Sequence, residues 1–398
     1  MKPNSSKIFS LVLLKRHQEA RGFSPPAPSA TPAPPALFSH LFQQPMNLTS
    51  SKNKEFEEHY SGMLAEYVTA IAWSPQGNTL AATSANGEVV LWQDGELTTL
   101  QAGNGQSVDC LAFSPDGKFL AVGGQDGRVK IWQEQELIAT LENAPAWVDK
   151  LAWSHTSNQL AFSLGRYVQV WDADTREVVT TLNFADSSPL SIDWRIDGQY
   201  LAIGGNKGIK IWHAQDWDEE PYILNMPTVS VTMAWSPDGK FLASGNMDRS
   251  VTVLEWNNPD PWVMRGFPGK IRQLAWSEAT TKLGAPILAS SSVEGIVVWE
   301  KLEDENLGWE ARVLTNHVGV INAIAFAPKS FLLASAATDG WLCLWNKAKE
   351  VSQILTGVAD GFSTLAWHPQ GKLIAAGGEK GELIIWAKIL RGQGFGRS

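Results

Sequence analysis

Short apolar runs recur along the chain in a fixed order, and their alternation is the first thing the sequence offers. One kind of run ends in an aromatic residue followed by a turn. It reads VTAIAWSPQG (68–77), VDCLAFSPDG (108–117), VDKLAWSHTS (148–157), PLSIDWRIDG (189–198), SVTMAWSPDG (230–239), IRQLAWSEAT (271–280), INAIAFAPKS (321–330) and FSTLAWHPQG (362–371). The aromatic anchors are Trp73, Phe113, Trp153, Trp194, Trp235, Trp276, Phe326 and Trp367, spaced 40, 40, 41, 41, 41, 50 and 41 residues apart. A second run opens on Leu-Ala or Ile-Ala, as at Leu80-Ala81 or Ile374-Ala375. A third ends in Trp92, Trp132, Trp171, Trp212, Trp256, Trp299, Trp345 and Trp386. In EVVLW, RVKIW and YVQVW the apolar positions fall at period two, the signature of half-buried strands. SPDG and its variants supply the hairpin turns, with Gly where positive φ is tolerated. Shorter β-prone runs at 97–100, 137–141, 178–182 and 353–355 add a fourth strand to each unit. A sheet of this size cannot bury both faces alone, so the copies must stack on one another, with Trp filling the wedges.

Eight copies of a four-stranded unit resemble the WD40 family of β-propellers, whose blades span ~40–45 residues. The resemblance covers residues 55–390 and implies an all-β, eight-bladed WD40-like propeller, with seven blades as the alternative. The chain departs from the family pattern in two ways. Only Trp171-Asp172 is a Trp-Asp at the third-strand position, and the family's Gly-His is missing, Asn316-His317 being the nearest match. By resemblance, one blade alone rebuilds the family's hydrogen-bonded tetrad, from His317, Ser335, Asp339 and Trp345. The other blades are left to packing and backbone ladders. Only twelve residues follow Trp386, so residues 55–61 (EFEEHYS) are expected to supply the outer strand of the last blade and close the ring. Deletion through Tyr60 should then destabilise the whole ring, while deletion of 1–45 should not.

Composition changes the picture in two places. The chain has 398 residues and 19 Trp, against 15 Phe and 5 Tyr, and fourteen of those Trp occupy the two repeat positions. The five left over, Trp147, Trp217, Trp262, Trp309 and Trp341, are therefore where function is sought. Residues 1–54 hold seven Lys/Arg and one acid, which leaves 25 basic and 40 acidic residues, a net of −15, in the remainder. Such a body repels phosphate backbones, so nucleic acid is not an expected partner. No apolar run is long enough for a membrane-spanning helix, and no membrane partner is expected. Cys110 and Cys343 lie far apart inside apolar runs and read as small buried hydrophobes.

Residues 1–53 read as a disordered Pro-rich leader, with PPAPSATPAPP at 25–35, and 391–398 as a flexible tail on a single propeller spanning 54–390. Met46 begins an ordinary polar start, so 1–45 reads as an extension upstream of the native N-terminus. The expected location is cytoplasmic, with organelle targeting the alternative if 1–45 is genuine.

Chemistry is sparse. None of the seven His pairs with another His or a Cys at metal-ligand spacing, and there is neither a nucleophile elbow nor a phosphate-binding loop. No cofactor, metal or catalytic residue is expected. The WD40 resemblance implies a non-catalytic, monomeric ring that scaffolds a protein partner. An enzyme with a cofactor or metal in the central channel is the alternative. Binding in the family is usually on the rim where one blade passes into the next. That points to Asp109, Asp149, Arg272 and Asn322, four residues before their anchors, with Trp147, Trp341, Arg249 and Tyr167 nearby. The longer connections after the fifth and sixth copies add Trp262 and Trp309. The segment PWVMRGFPGKIRQLAW also resembles one in WD40 proteins associated with metallochaperone GTPases of the cobalamin-synthesis type.

Overall fold

The computed structural model describes residues 54–389 except 144, 185, 186, 227, 305 and 306. The leader and the tail thus lie outside the described residues. Within them the chain forms eight four-stranded antiparallel sheets arranged as the blades of a ring. Blade 1 comprises Val68–Trp73, Leu80–Ser84, Val89–Gln93 and Glu96–Gln101, from the axis outward. Blades 2 to 7 repeat this order, with inner strands Val108–Phe113, Leu151–Trp153, Ser191–Trp194, Ser230–Trp235, Gln273–Thr280 and Ile321–Phe326. Each inner strand lies against the inner strand of the next blade, and Val68–Trp73 lies against Phe362–Trp367 to complete the circle.

The eighth blade is built from both ends of the ring. Phe362–Trp367, Leu373–Gly378 and Glu382–Lys388 are joined by Phe56–Met63, antiparallel to the last of them with Glu58 opposite Trp386. Gln353, on the outer strand of blade 7, clasps this closing strand as though it were backbone. Its Oε1 accepts from the amides of Glu55 (2.8 Å) and Phe56 (2.9 Å), and its Nε2 donates to the Phe56 carbonyl (2.7 Å).

The burial pattern follows from the wedge shape of each blade. Second strands are buried on both faces, as in Leu80–Ser84, whereas outer strands such as Glu96–Gln101 alternate between exposed and half-buried. Near the axis, where neighbours converge, the residue before the anchor is Ala in seven blades and Asp193 in the fourth. The core is a set of wedges shared between neighbours. One joins Ala375, Leu383 and Ile385 of blade 8 to Val68, Ile71, Trp73 and Leu80 of blade 1.

The anchoring tryptophans do more than fill these wedges. Trp153 donates its indole N–H to the Ala112 carbonyl (3.0 Å), Trp194 to Ala152 (3.1 Å), Trp276 to Ala234 (3.0 Å) and Trp367 to Ala325 (3.1 Å). Trp73 reaches Ala366 at 3.3 Å. Each bond crosses from one blade to the residue before the anchor of the preceding blade. The inner edge of a strand has carbonyls with no partner in its own sheet, and a buried carbonyl needs a donor. A phenylalanine at the same place cannot supply one.

Candidate functional site

The two faces of the ring differ in construction. One face carries the passages between blades together with the turns between second and third strands. The other carries the first hairpin turns and the turns into the outer strands.

On the passage face, inner strands begin with a β-bulge. The register skips one residue in blades 1, 2, 5, 7 and 8, leaving Thr69, Asp109, Val231, Asn322 and Ser363 unpaired. A bulged residue is free to re-aim its side chain. Asn322 Nδ2 donates to the Phe362 carbonyl of the next blade at 2.9 Å, and Ser363 Oγ does the same to Val68 at 2.6 Å. Thr69 reaches the Val108 carbonyl likewise. The position four before the anchor is thus a second clasp between blades. Asn322 is committed to it. Asp109 accepts instead from Ser107, and Asp149 accepts from Ser163 (3.1 Å) while pairing with Lys150 (3.2 Å). Arg272 is exposed at the same level of blade 6. Arg249 is exposed in the second turn of blade 5, in the left-handed region at φ 66°. Asp109 and Asp149 thus lie over blades 2 and 3 and Arg249 and Arg272 over blades 5 and 6, each pair with charges of the opposite sign nearby, such as Lys150 and Asp248.

Of the nineteen tryptophans, all of them described, only Trp147 is exposed, at 61%. It stands in the passage into blade 3. The Gly165 turn, which leads to exposed Tyr167, packs against neighbouring Ala146. Met247 and Val318, which sequence reasoning did not single out, are exposed on the same face. Their signal was an apolar residue inside a turn or passage that repeat spacing leaves at the surface. Trp341 is half-buried at the second turn of blade 7, its backbone N–H bonded to Asp339 (3.0 Å). Trp262 is half-buried on the outer strand of blade 5, with the Lys301 ammonium 5.2 Å from its ring centroid. Trp309 is buried, edge-on to Phe241 at 5.5 Å, and presents no ring to solvent.

The tetrad residues form a continuous chain in blade 7. His317 bonds Asp339 through Nδ1 (2.9 Å) and Ser335 through Nε2 (2.7 Å), and Trp345 donates its indole N–H to Ser335 (2.8 Å). Burial alone would lower the His317 pKa. The hydrogen bond to Asp339, with smaller contributions from Cys343 and from the Asp339 charge, outweighs it and raises the ring to about 9, so the pair is ionic at neutral pH. Burial opposes ionisation of Asp339 as well, yet the His317 bond holds that carboxyl below its usual range. This is a structural strut rather than a reactive group, since neither side chain is open to solvent. Blade 5 replaces the strut with a buried hydroxyl–amide network: Ser230 to Ser244 (2.8 Å), Ser244 to Asn246 (2.8 Å), and Asn246 to Ser250 and Thr252 (3.0 Å each). In blade 6, Phe267 occupies the place of the histidine, 5.9 Å from Trp299. Among the described residues no three His, Cys, Asp or Glu side chains gather as a metal site would require.

A family model described as WD domain, G-beta repeat matches residues 50–93, 95–133, 176–213, 222–254, 308–346 and 349–387. Each match starts at or near an outer strand and continues through the first three strands of the following blade, the same offset that closes the ring with Phe56–Met63. Blade 3 and blade 6, whose first hairpins depart most from SPDG, supply the two structural repeats beyond these six. With more than half its length matched and eight blades in the ring, the chain belongs to the WD40 repeat family.

Proposed function

We propose that the protein is a non-catalytic interaction scaffold that docks a protein partner on the passage face, around Trp147 and Tyr167. Trp147 carries this reading. Eighteen other tryptophans are wholly or partly buried, while this one is held out at 61% exposure in the passage into the blade that carries exposed Tyr167. Trp, Tyr and Arg are the residues most enriched in binding hot spots, and such an anchor contributes about 2 kcal/mol or more when a partner encloses it. Asp109 and Asp149 on one side and Arg249 and Arg272 on the other would fix the partner's orientation rather than its affinity. Membership in the WD40 family, whose propellers generally act as scaffolds, supports the same reading. The test is affinity capture with wild type, Trp147→Ala and Arg272→Ala. Trp147→Ala should lose most of the partner recovered by wild type, with an unchanged thermal midpoint, and Arg272→Ala should lose less. Equal recovery by all three defeats the assignment.

A further inference from the structure

The opposite face carries a cleft at one of its joints. Between blades 1 and 2 lies a cleft of about 500 Å³, with Phe113, Leu91, Leu120 and Trp132 as its floor and amide, hydroxyl and charged side chains as its walls. It lies at a joint whose anchor departs from the repeat. Phe113 stands where six other blades have Trp, so neither the indole's volume nor its bond to the Ala72 carbonyl is present at this joint.

The walls are divided between spent and unspent groups. Asp116 Oδ1 accepts from Ser114 (2.8 Å) and the Lys118 amide (3.0 Å), and Oδ2 from Lys118 Nζ (2.9 Å) and Asn158 (3.0 Å). Burial opposes ionisation of Asp116, but these bonds hold its carboxyl well below the usual range. It and Lys118 neutralise each other. Gln76 is bound to the Asp116 carbonyl (2.7 Å) and Gln93 to Thr79 (2.6 Å). By contrast, Gln133, Glu134 and Gln135 make no side-chain hydrogen bond among the described residues. They form the turn into the outer strand of blade 2, with Glu134 fixed in the left-handed region at φ 56°. The facing turn of blade 1 holds Asp94, likewise left-handed at φ 49°, and Glu96 opposite Gln93. Glu136 sits opposite Gln133. The one cation of the cleft is thus already paired, whereas Glu134 in its wall has no ion-pair partner among the described residues.

We propose that this cleft is a second binding site, which takes the lysine or arginine side chain of an extended basic segment of a partner protein. The aliphatic stem would lie on half-buried Phe113, and the cationic head would meet Glu134 and the free amide oxygens of Gln133 and Gln135. Long basic side chains bury their stems on apolar surface while keeping the head on polar groups, and this cleft offers both at once. A sugar is disfavoured, because Trp132 is only 3% exposed and offers no open face for stacking. The site goes beyond docking on the passage face and does not depend on it.

The experiment selects phage-displayed random peptides on the full-length protein and measures synthetic, fluorescein-labelled winners by anisotropy. Winners should be enriched in Lys and Arg. Phe113→Trp, which fills the cleft with the residue used at most other joints, should weaken them by about tenfold or more, and Glu134→Gln should weaken them measurably. Trp147→Ala should leave them unchanged. Phe113→Trp does not threaten the fold, since it restores the repeat, and an undiminished thermal midpoint verifies this. The proposal is overturned if winners show no basic enrichment or bind Phe113→Trp as tightly as wild type. Winners lost with Trp147→Ala but kept with Phe113→Trp overturn it too, and they would point to the passage face.

Discussion

Two joints of the ring lack a tryptophan anchor, and they end up differently. Phe113 stands between blades 1 and 2, Phe326 between blades 6 and 7. Neither ring can donate to the carbonyl that Trp reaches at five other joints. At the joint of blades 6 and 7 the gap is filled. Phe331, five residues after the anchor, packs with Phe326 and Ile287 of blade 6, and Glu278 on the inserted hairpin of blade 6 accepts from the Lys329 amide at 3.1 Å. At the joint of blades 1 and 2 the residue in the Phe331 position is Lys118. It turns to Asp116 and leaves the cleft open. The same anchor change is absorbed where the next layer supplies apolar volume and becomes a cavity where it supplies a charge. A third joint, between blades 4 and 5, shows another remedy. The Trp235 indole N–H is buried without a hydrogen-bond partner among the described residues. There Asp193 accepts from the Trp235 amide (2.7 Å), and the Arg195 guanidinium lies 5.5–5.9 Å from the rings of Tyr200, Trp235 and Trp256.

The comparison can be broken by removing a bolt outright. Trp194→Ala deletes both the buried indole and its bond to Ala152, and should lower stability by about 4 kcal/mol in denaturant unfolding. A cost near that of an exposed residue would show that the bolts do not hold the joints. Next in size, Phe331→Lys should turn the filled joint into an open one. It should cost about 2 kcal/mol and give a new cleft between blades 6 and 7 in a crystal structure of the variant. An unchanged joint would remove Phe331 as the reason the two differ.

The joint of blades 4 and 5 should carry its own pH signature. Burial pushes the Asp193 carboxyl from 3.8 up to about 7, against hydrogen bonds from the Trp235 and Trp194 amides. The folded state therefore binds this proton more tightly than the unfolded chain. The stability it contributes is full below pH 3.8 and is lost as pH rises through about 7. His317 acts in the same direction at higher pH, its contribution present below pH 6.5 and lost through about 9. Between pH 4 and 7 the thermal midpoint should drop more with rising pH in wild type than in Asp193→Ala, the residue of the other seven blades, while His155 and His368, whose pKa values burial lowers, pull the other way in both. A slope that survives the substitution unchanged assigns it to other groups.

Much of the ring was legible in the sequence. The spacing of the anchors, the Leu-Ala of the second strands and the closing segment before Val68 carry eight blades and their closure, because each is a local pattern repeated. The bolts were not legible. An indole N–H meets a carbonyl only because the wedge brings neighbouring strands to one distance, which no single repeat contains. The rim was read in part for a related reason. Counting four residues back from Phe326 finds Asn322, but the bulge that turns it into a clasp lies in the pairing register. Of the five tryptophans outside the repeat positions, Trp147 alone is exposed, while Trp217, Trp262 and Trp341 are half-buried and Trp309 is buried. Trp217, 5.9 Å from Trp194, and Trp309, near Phe241, pack against anchors and second-strand aromatics toward the circumference, where the wedge is widest and large side chains are needed.

Phe113→Trp tests the central claim most directly, because it asks one substitution to supply the bolt that the open joint lacks. The claim is that this joint is weak for want of an indole and its bond to the Ala72 carbonyl. Restoring them should add about 1 kcal/mol and raise the thermal midpoint by about 2 °C. A crystal structure of the variant should show the indole nitrogen about 3 Å from that carbonyl and the cleft closed. A lowered midpoint, with the indole turned out of the joint, would contradict the account.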